Sequence, residues 1–543
     1  MRVVIIGGVA GGMSAATRLR RLDESAEIIV LERSGHVSYA NCGLPYYVGG
    51  VISDENKLYL QTPDSLHKRF RLDVRVNHEV IDISSEKKAV IVRDLLSAQK
   101  SEIHFDKLIL SPGATPIVPP IAGIERALTL RTVEDVLRIY EAVEVKPKSA
   151  VVIGGGFIGV EMAENLVHKG IKTSLIEALP QVLAPLDPEM AELVHQELRK
   201  NGIDLHLANS VKEITSEEVI LSDGSKVSAE LVIASIGVKP DITLARAAGV
   251  EIGSKGGISV NGFNQTSNPD IYAIGDVAEK NDDLTGESTL IPLANIANRH
   301  GRITADHIAG KKVREVSSVG TAIVKVFDLA VATTGWNAKK LRALGKEFTE
   351  IHTHPNSHAT YYPGATQFSL KLIFDPKSGE IFGAQGVGRD GVDKRIDVIS
   401  TSIRAGITAP ELADLELAYA PPFGSAKDPV NMLGYIADNI VSKSTEIAQW
   451  SEINKFIADG YALVDVRSQS EYANGTIPGS INIPVDELRE RHLEINNKKV
   501  IVNCQVGQRG HVATMLLRSL GYDAKNLDGG YLTWINSPAG NIK

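Results

Sequence analysis

Short apolar runs alternate with longer amphipathic stretches along the chain, which is the pattern of strands followed by helices in an α/β protein. The first run, Val3–Ile6, leads into a glycine-rich loop and then a helical stretch from Met13 to Leu22. A second run, Ile28–Leu31, ends at Glu32. Glycines let the backbone approach a pyrophosphate at the positive end of a helix, and an acidic residue after the next strand accepts hydrogen bonds from a ribose. The order therefore predicts a dinucleotide-binding βαβ unit.

The same arrangement recurs in the middle of the chain. Ala150–Ile153 leads into Gly154-Gly155-Gly156-Phe157-Ile158-Gly159, and the strand after the next helix ends at Glu177. A carboxylate binds a ribose 2′-hydroxyl and repels a 2′-phosphate, and no Arg or Lys follows in Ala178–Pro180. The second unit is therefore predicted to bind NADH in preference to NADPH.

The 543 residues are too many for one core and predict two to four domains. The region from about Val319 to Ile440 mixes strand and helix patterns without a nucleotide motif. After a break in composition at Ser442–Thr445, short buried-strand runs alternate with helical stretches up to the last residues, which predicts a small α/β domain.

Composition narrows the class of protein. The chain is 43% hydrophobic and 23% charged, with a formal charge of -8, which argues against a general nucleic-acid binder. No apolar run approaches the ~18 residues that span a bilayer. The first run is too short for a signal peptide, so a cytoplasmic location is expected. No metal site is predicted.

The chain has two cysteines, Cys42 and Cys504. Cys42 has no cysteine neighbour with which to form a local disulfide. Cys504 follows a buried-strand run and precedes a helical stretch, so the loop to Arg509 is expected to turn backbone N–H groups toward the sulfur, with the Arg509 guanidinium adding to the anion cradle. Such a loop stabilises a thiolate or a terminal persulfide.

The two glycine units, together with Ser111–Thr115, Ala234–Gly237 and Ile274–Asp276, resemble the flavoprotein disulfide reductase family with two dinucleotide domains, over roughly residues 1–440. The resemblance implies two Rossmann-like domains and an α+β dimerisation domain, and a homodimer. It implies that FAD is bound by Gly7, Gly8, Ala10, Gly11, Glu32, Arg33, Val80, Ser111, Gly113, Gly275, Asp276, Pro292, Leu293 and Ala294. It implies that NADH is bound by Gly154, Gly156, Phe157, Ile158, Gly159, Glu177 and Gly237.

Residues around Cys42 and elsewhere indicate which branch of this family the chain resembles. Ala10 stands where the peroxidases and oxidases of the single-cysteine branch carry a histidine, and Ser38–Tyr46 and Tyr419–Asp428 resemble the signatures of coenzyme A disulfide reductases. That resemblance implies a catalytic tyrosine pair that reaches the other subunit of the dimer, Tyr419 and Tyr361, with Tyr362 open as an alternative to Tyr361. It implies a coenzyme A site formed by Ser14, Arg18, Arg21, Ser38, Asn41, Asn298 and Lys427.

The C-terminal region resembles a single rhodanese domain, through Leu463–Arg467, Ile477–Pro484, the Cys504 loop and Asp528–Trp534. The expected order is an FAD domain (1–112 and 239–318), an NADH domain (113–238), a dimerisation domain (319–440), a linker (441–449) and a rhodanese domain (450–543).

These features lead to a functional hypothesis. NADH and FAD reduce persulfides or polysulfides, including coenzyme A persulfide, and also coenzyme A disulfide, through Cys42, while Cys504 handles sulfane sulfur. Three alternatives stay open: a coenzyme A disulfide reductase with a tethered sulfurtransferase, an NADH oxidase, and a redox sensor with a docking rhodanese module.

Overall fold

The computed structural model describes residues 1–540, and they divide into two compact units. The first unit contains Met1–Pro180 and Gly202–Ser318. The second contains Gln181–Asn201 and the chain from Val319 onward. A segment inside the predicted NADH domain thus belongs to the same unit as the C-terminal half of the chain.

Elements up to residue 200 include both glycine units. The strands are β1 (Arg2–Ile6), β2 (Glu27–Leu31), β3 (Asp73–Arg75), β4 (His78–Ser84), β5 (Ala89–Asp94), β6 (Lys100–His104), β7 (Lys107–Leu110), β8 (Ala114–Pro116), β9 (Leu128–Thr129), β10 (Ser149–Ile153) and β11 (Lys172–Ile176). The helices are α1 (Ala10–Leu22), α2 (Leu44–Val48), α3 (Pro63–Phe70), α4 (Val133–Glu144), α5 (Phe157–His168) and, in the second unit, α6 (Pro188–Lys200).

The remainder of the first unit is mostly strand. The strands are β12 (Asp204–His206), β13 (Val211–Ile214), β14 (Glu218–Leu221), β15 (Lys226–Ser228), β16 (Leu231–Ala234), β17 (Val238–Pro240), β18 (Ile271–Ala273), β19 (Lys280–Asn281) and β20 (Ser288–Thr289). The helices are α7 (Thr243–Ala247) and α8 (Ala294–Ile308).

Two five-stranded parallel sheets organise the first unit, in the orders β18-β7-β1-β2-β3 and β12-β11-β10-β16-β9. The central strands β1 and β10 are almost wholly buried because helices cover both faces of a parallel sheet. The two βαβ units predicted from the apolar runs are confirmed. Helix α1 begins at Ala10, inside the glycine loop, and not at Met13.

The second unit continues with an antiparallel region and a parallel one. The strands are β21 (Ala322–Val326), β22 (Leu329–Gly335), β23 (Thr349–Thr353), β24 (Phe368–Phe374), β25 (Ile381–Gly388), β26 (Ile447–Ala448), β27 (Ala462–Asp465), β28 (Ile481–Asn482), β29 (Lys499–Asn503) and β30 (Asp523–Leu527). The helices are α9 (Ala338–Ala343), α10 (Val392–Ala405), α11 (Pro429–Val441), α12 (Ile453–Ala458), α13 (Gln469–Ala473), α14 (Leu488–Arg491), α15 (Gln508–Ser519) and α16 (Gly530–Ile535).

An antiparallel sheet, β21-β22-β25-β24-β23, forms the region from residue 322 to 388, and its strand β24 is buried along its whole length. The C-terminal sheet is parallel, in the order β26-β30-β29-β27-β28. Its first strand, β26, pairs with β30 although it lies inside the segment predicted as a linker. The alternation of apolar runs after residue 445 therefore describes one sheet that begins at Ile447.

A buried ion cluster occupies the interior of the second unit. The Lys371 ammonium lies 2.9 Å from Asp187, 2.5 Å from Glu189 and 2.6 Å from Glu350. The pKa of Lys371 is raised, because the attraction of Glu189 and the other two carboxylates outweighs the cost of burying the charge. Three segments distant in sequence are thus held by one cation.

Replacement of Lys371 should destabilise the second unit strongly. Lys371→Ala leaves three buried carboxylates without their cation, so we expect a loss of about 3–5 kcal/mol in unfolding free energy. The control is Lys377→Ala, which removes an exposed ion pair with Glu347 and should change stability by less than about 1 kcal/mol. Chemical denaturation followed by tryptophan fluorescence measures both, and equal effects would contradict the account.

Candidate active site

The first glycine loop fits the diphosphate of a dinucleotide. Helix α1 has no side-chain cap and no acidic residue in its first turn, so its first N–H groups are open to an anion. Gly7 has a φ of +99°, and a Cβ there would lie 2.1 Å from the Ser111 carbonyl oxygen. The Glu32 carboxylate accepts hydrogen bonds from the N–H of Gly8 at 2.8 Å and of Ser34 at 2.9 Å. The carboxylate predicted to hold a ribose is therefore fixed beside the loop.

Asp276, one of the residues implied for FAD, has a basic partner that was not predicted from the sequence. A guanidinium nitrogen of Arg131 donates to the Asp276 carboxylate at 2.9 Å. The same nitrogen would lie 2.8 Å from a Cβ at Gly113, whose φ is +76°. Arg131 therefore joins two residues predicted for FAD, although it stands outside any glycine motif.

The other residues predicted for FAD have varied surroundings. Val80 is buried in β4, and Arg33 lies 3.5 Å from the Asp241 carboxylate. Leu293 is the residue before α8, a helix whose start has no side-chain cap, and Pro292 and Ala294 on either side of it are exposed.

The second glycine loop repeats the geometry of the first. Helix α5 also begins without a side-chain cap, and a Cβ at Gly156 would meet no atom within 4 Å, which leaves space at the helix start. A Cβ at Gly159 would lie 1.8 Å from the Gly154 carbonyl oxygen, so helix and loop pack closely. The Glu177 carboxylate accepts from the N–H of Gly155 at 2.6 Å and of Leu179 at 2.8 Å. The residues present fit a nicotinamide dinucleotide.

Cys42 lies in a short 3-10 turn, Asn41–Gly43, directly before α2, and it is exposed. The surrounding protein raises its pKa, mainly by withdrawing water and next through the negative charge of Glu161. Arg131 acts in the opposite direction and lowers the pKa. The protein's own groups therefore do not form the electropositive surroundings that favour a thiolate, because Glu161 comes from the helix after the second glycine loop.

The pKa of Glu161 is itself shifted from its usual value. Burial raises its pKa to about 7, although a hydrogen bond from the Tyr46 hydroxyl at 3.1 Å acts in the opposite direction. Tyr46 stands one helical turn after Cys42 in the chain, and its own pKa is raised by burial and by Glu161. Cys42 therefore has an acid nearby that changes charge close to neutral pH.

Most of the residues implied for coenzyme A lie in the first unit. The Ser14 hydroxyl donates to the Asn298 amide oxygen at 2.9 Å, where α1 packs against α8. Arg18 forms an ion pair with Asp306 at 2.7 Å, so its charge is partly satisfied within the protein. Arg21 is exposed. Ser38, with a φ of 48°, and Asn41 are half-buried and close to Cys42 in the chain.

The second unit contains a cavity of about 310 Å³ that both predicted tyrosines line, together with Lys427. The hydroxyls of Tyr361 and Tyr419 lie 2.9 Å apart, and Tyr361 is 74% exposed. This hydrogen bond raises the pKa of Tyr361. Tyr362 instead places its ring edge against His358, with centroids 5.7 Å apart. Of the two alternatives, Tyr361 is the one paired with Tyr419.

Cys504 directly follows β29 and is fully buried. The N–H of Gly507 points at its sulfur, with 3.2 Å between the two atoms, and Gly507 has a φ of +94°. Helix α15 begins at the next residue without a side-chain cap. Of the N–H groups predicted to turn toward this sulfur, that of Gly507 donates a hydrogen bond to it.

Arg509 forms an ion pair with Glu471, a residue that was not predicted from the sequence. Its guanidinium donates to both carboxylate oxygens of Glu471, at 2.8 and 2.6 Å, and this pairing lowers the pKa of Glu471 to about 2. Arg467 donates to the Gln505 side chain at 3.1 Å and lies over the Tyr531 ring. Two guanidinium groups therefore lie at the Cys504 loop, one of them from the segment after β27, and only Arg509 was singled out from the sequence.

Within residues 1–540, one group of acidic side chains is close enough to hold a cation, namely Asp187, Glu189 and Glu350. The Lys371 ammonium lies within 2.9 Å of all three. In the same part of the chain, none of the helices combines the length and the apolar character needed to cross a membrane.

Comparison with known families matches residues 1–301 to the pyridine nucleotide-disulphide oxidoreductases, residues 321–429 to the dimerisation domain of that family, and residues 449–537 to rhodanese-like domains. The chain belongs to the pyridine nucleotide-disulphide oxidoreductase family. It is an oxidoreductase with a C-terminal rhodanese domain, and FAD and NAD(H) are the cofactors of the family. The expected fold class is confirmed in all its parts.

Individual relatives are similar over most of the chain. Coenzyme A disulfide reductase from Staphylococcus aureus is 34% identical over 440 residues, which is 80% of this chain and 99% of the relative. The crystal structure of reduced Bacillus anthracis CoADR-RHD is 48% identical, with a TM-score of 0.97 and 98% of both chains covered. A NAD-dependent persulfide reductase from A. fulgidus is 36% identical, with a TM-score of 0.93, covering 98% of this chain and 100% of its own.

Removal of the Glu161 charge should make Cys42 more reactive. Above pH 7 the Glu161 carboxylate is ionised and holds the pKa of Cys42 up, so Glu161→Gln should speed alkylation by iodoacetamide at pH 8 by about threefold. Below pH 6 Glu161 is protonated in the wild type, and the difference should fade.

The reduced, FAD-loaded full chain with Cys504→Ser is the background, so that Cys42 is the only thiol. Exposed Glu141, changed to Gln, serves as the control. Equal rates at pH 8 for Glu161→Gln and the wild type would show that the carboxylate does not act on Cys42.

Proposed function

We propose that the protein uses NADH and FAD to reduce the sulfane sulfur of persulfides and polysulfides, including coenzyme A persulfide, and also reduces coenzyme A disulfide. One observation carries the proposal, namely two thiols suited to sulfur chemistry in a single chain. Cys42 is exposed and has no second cysteine nearby in the chain, whereas Cys504 is buried in a loop that directs an N–H group at its sulfur.

The relatives support this substrate class. One is named a NAD-dependent persulfide reductase and spans both the reductase and the rhodanese parts of this chain, whereas the coenzyme A disulfide reductase from Staphylococcus aureus spans 80% of it. The proposed site of action is the cytoplasm. The proposed domain boundaries are those expected from the sequence, with the rhodanese sheet beginning at β26.

The first chemical step falls to Cys42. Its thiolate attacks the outer sulfur of R–S–SH, the S–S bond breaks, and the thiol R–SH leaves after taking a proton. Cys42 then carries the extra sulfur as a persulfide. Bound FAD would supply two electrons from NADH; the S–S bond of the Cys42 persulfide then breaks, Cys42 returns to the thiolate, and hydrosulfide is released. The balance is R–SSH + NADH + H⁺ giving R–SH + H₂S + NAD⁺.

The proton for the leaving thiolate is assigned to the Tyr361–Tyr419 pair. Their hydroxyls are hydrogen-bonded, and the pKa of Tyr361 is raised, so Tyr361 stays a proton donor over the physiological range. Both side chains are exposed in the single chain, on the part that matches the dimerisation domain. In the proposed homodimer, they serve Cys42 of the partner subunit.

Coenzyme A is the proposed carrier of the thiol, bound by the residues implied from the sequence. Its phosphates require basic groups, which Arg21 and Lys427 offer at exposed positions. Arg18 is paired with Asp306, so its charge is only partly available to the coenzyme A phosphates. Cys504 is proposed to accept sulfane sulfur and pass it toward Cys42.

Cys504→Ser separates the proposal from a plain coenzyme A disulfide reductase with a tethered sulfurtransferase. We expect NADH-dependent reduction of inorganic polysulfide to fall by about tenfold or more, because the sulfur then lacks its acceptor thiol. Turnover with coenzyme A disulfide should be unchanged, and Cys42→Ser should abolish both activities. Unchanged polysulfide turnover in Cys504→Ser would favour the rival.

The tyrosine assignment predicts a difference between neighbours. Tyr361→Phe should lower kcat with coenzyme A disulfide by about 10²–10³-fold, because it removes a proton donor. Tyr362→Phe is the matched control and should stay within about twofold, since its ring packs on His358 and its hydroxyl is not the partner of Tyr419. The assignment is wrong if the two variants fall equally.

A further inference from the structure

The turn that follows β30 is part of the Cys504 site. The N–H of Tyr531 donates to the Cys504 carbonyl at 2.7 Å, and the N–H of Leu532 donates to the Gln505 carbonyl at 3.0 Å. A Cβ at Gly530 would lie only 2.4 Å from the Cys504 carbonyl oxygen, so the turn packs directly on the backbone of the loop. Any shift of this turn therefore shifts Cys504.

The other side of the same turn contacts the antiparallel sheet. Asp528 accepts hydrogen bonds from the backbone N–H of His352 at 3.0 Å and from its Nδ1 at 2.6 Å. A Cβ at Gly529 would lie 2.7 Å from the Cβ of His352, so the approach requires glycine. His352 and Asp528 are both buried, and 176 positions separate them in sequence.

His352 is in turn held by the ion cluster at Lys371. Its Nε2 lies 3.1 Å from a Glu189 oxygen, which is also the oxygen 2.5 Å from the Lys371 ammonium. A continuous chain of charged groups, Lys371–Glu189–His352–Asp528, thus runs from β24 through α6 and β23 to the turn beside Cys504.

We infer that His352, which belongs to the part matched to the dimerisation domain, is a positioning residue for Cys504 of the rhodanese domain. Its ion pair with Asp528 fixes the turn against which the Cys504 loop is built. The inference rests on the proposed role of Cys504 as a carrier of sulfane sulfur. It adds that this thiol depends on a residue outside its own domain.

The charge of His352 makes its ion pair with Asp528, and so the position of the turn, dependent on pH. Asp528 and Glu189 raise the pKa of His352 to about 9 against the effect of burial, so the imidazolium donates from both nitrogens at neutral pH. The pKa is above the unfolded value of 6.5, and the stabilisation is thus fully present below pH 6.5 and lost as the pH rises through about 9. The ionisable groups around it are Asp187, Glu189, Glu350, His354, Lys371 and Asp528.

His354 offers a matched control two residues away. It is equally buried, and it bonds the Ser369 hydroxyl and the Thr533 hydroxyl, each at 2.8 Å, so it also touches the rhodanese domain. Burial lowers its pKa to about 3, which leaves it neutral. It also lies beside the backbone of Gly529 in the turn, and it differs from His352 because it is neutral and forms no ion pair with Asp528.

The test is the loading of sulfur onto Cys504, measured on the FAD-loaded full chain without NADH, in a Cys42→Ser background. The Cys504 thiolate attacks the outer sulfur of thiosulfate, the S–S bond breaks, and sulfite is released in a single turnover. His352→Gln should slow sulfite release by about 10–100-fold, because a displaced loop misplaces the attacking sulfur. His354→Gln should stay within about twofold of the wild type.

A pH profile separates positioning from a general loss of structure. The wild-type rate should fall as the pH rises through about 9, and in Asp528→Asn the fall should move to lower pH, since His352 loses its main partner. A rate that does not fall up to pH 10 overturns the inference even if every variant folds poorly. So does an equal loss in His352→Gln and His354→Gln, or a wild-type rate in His352→Gln.

The proposed function has its own control. If the Cys42→Ser protein releases no more sulfite than the same protein with Cys504→Ser added, then Cys504 does not carry sulfur, and the inference falls together with the proposal. If the Cys42→Ser protein takes up sulfur on Cys504 and the added His352→Gln change does not slow this, the proposed role of Cys504 stands and only the positioning role of His352 is wrong.

Discussion

Backbone N–H groups at the start of a helix, left without a side-chain partner, are the constraint on which the sites of this protein depend. A helix leaves its first N–H groups unpaired, and these attract negative charge. Helices α1, α5 and α15 each follow a strand of a parallel sheet, and none has a side-chain cap or an acidic residue in its first turn. Two of these helix starts fit dinucleotide phosphates, and the third faces a sulfur atom.

The two thiols differ in the way the protein surrounds them. Cys42 is exposed, but the loss of water and next the charge of Glu161 raise its pKa, so the protein alone does not favour its thiolate. Cys504 is closed in by its loop and receives an N–H group on its sulfur. One thiol is therefore open to solvent, and the other is enclosed within its loop.

Features that are local in sequence could be predicted. The strand, glycine loop and terminal acid of each unit lie within about 30 residues, so each βαβ unit could be predicted from spacing, whereas the hydrogen bonds of Glu32 and Glu177 to their own glycine loops were not predicted. The Cys504 loop is local in the same way. The tyrosine pair could be indicated only by resemblance, because Tyr361 and Tyr419 meet through the fold.

Features that arise from packing could not be predicted. Arg131 and Asp276 are 145 positions apart, and Glu161 acts on Cys42 from another glycine unit. Arg18 reads as a free basic residue in the sequence, whereas Asp306 pairs with it in the fold. The pairing of His352 with Asp528 likewise depends on how two domains pack together, and the spacing of residues along the chain does not indicate this packing.

The central claim is that NADH is spent on sulfane sulfur, and the most direct test is the balance of NADH against sulfide. The purified, FAD-loaded protein is given NADH and coenzyme A persulfide without oxygen, and both NADH and sulfide are followed. The account predicts that sulfide appears in equimolar amount with the NADH oxidised, and that NADH is consumed much more slowly when the persulfide is left out. NADH oxidation that is no faster with persulfide than without it, or that requires oxygen, would contradict the account.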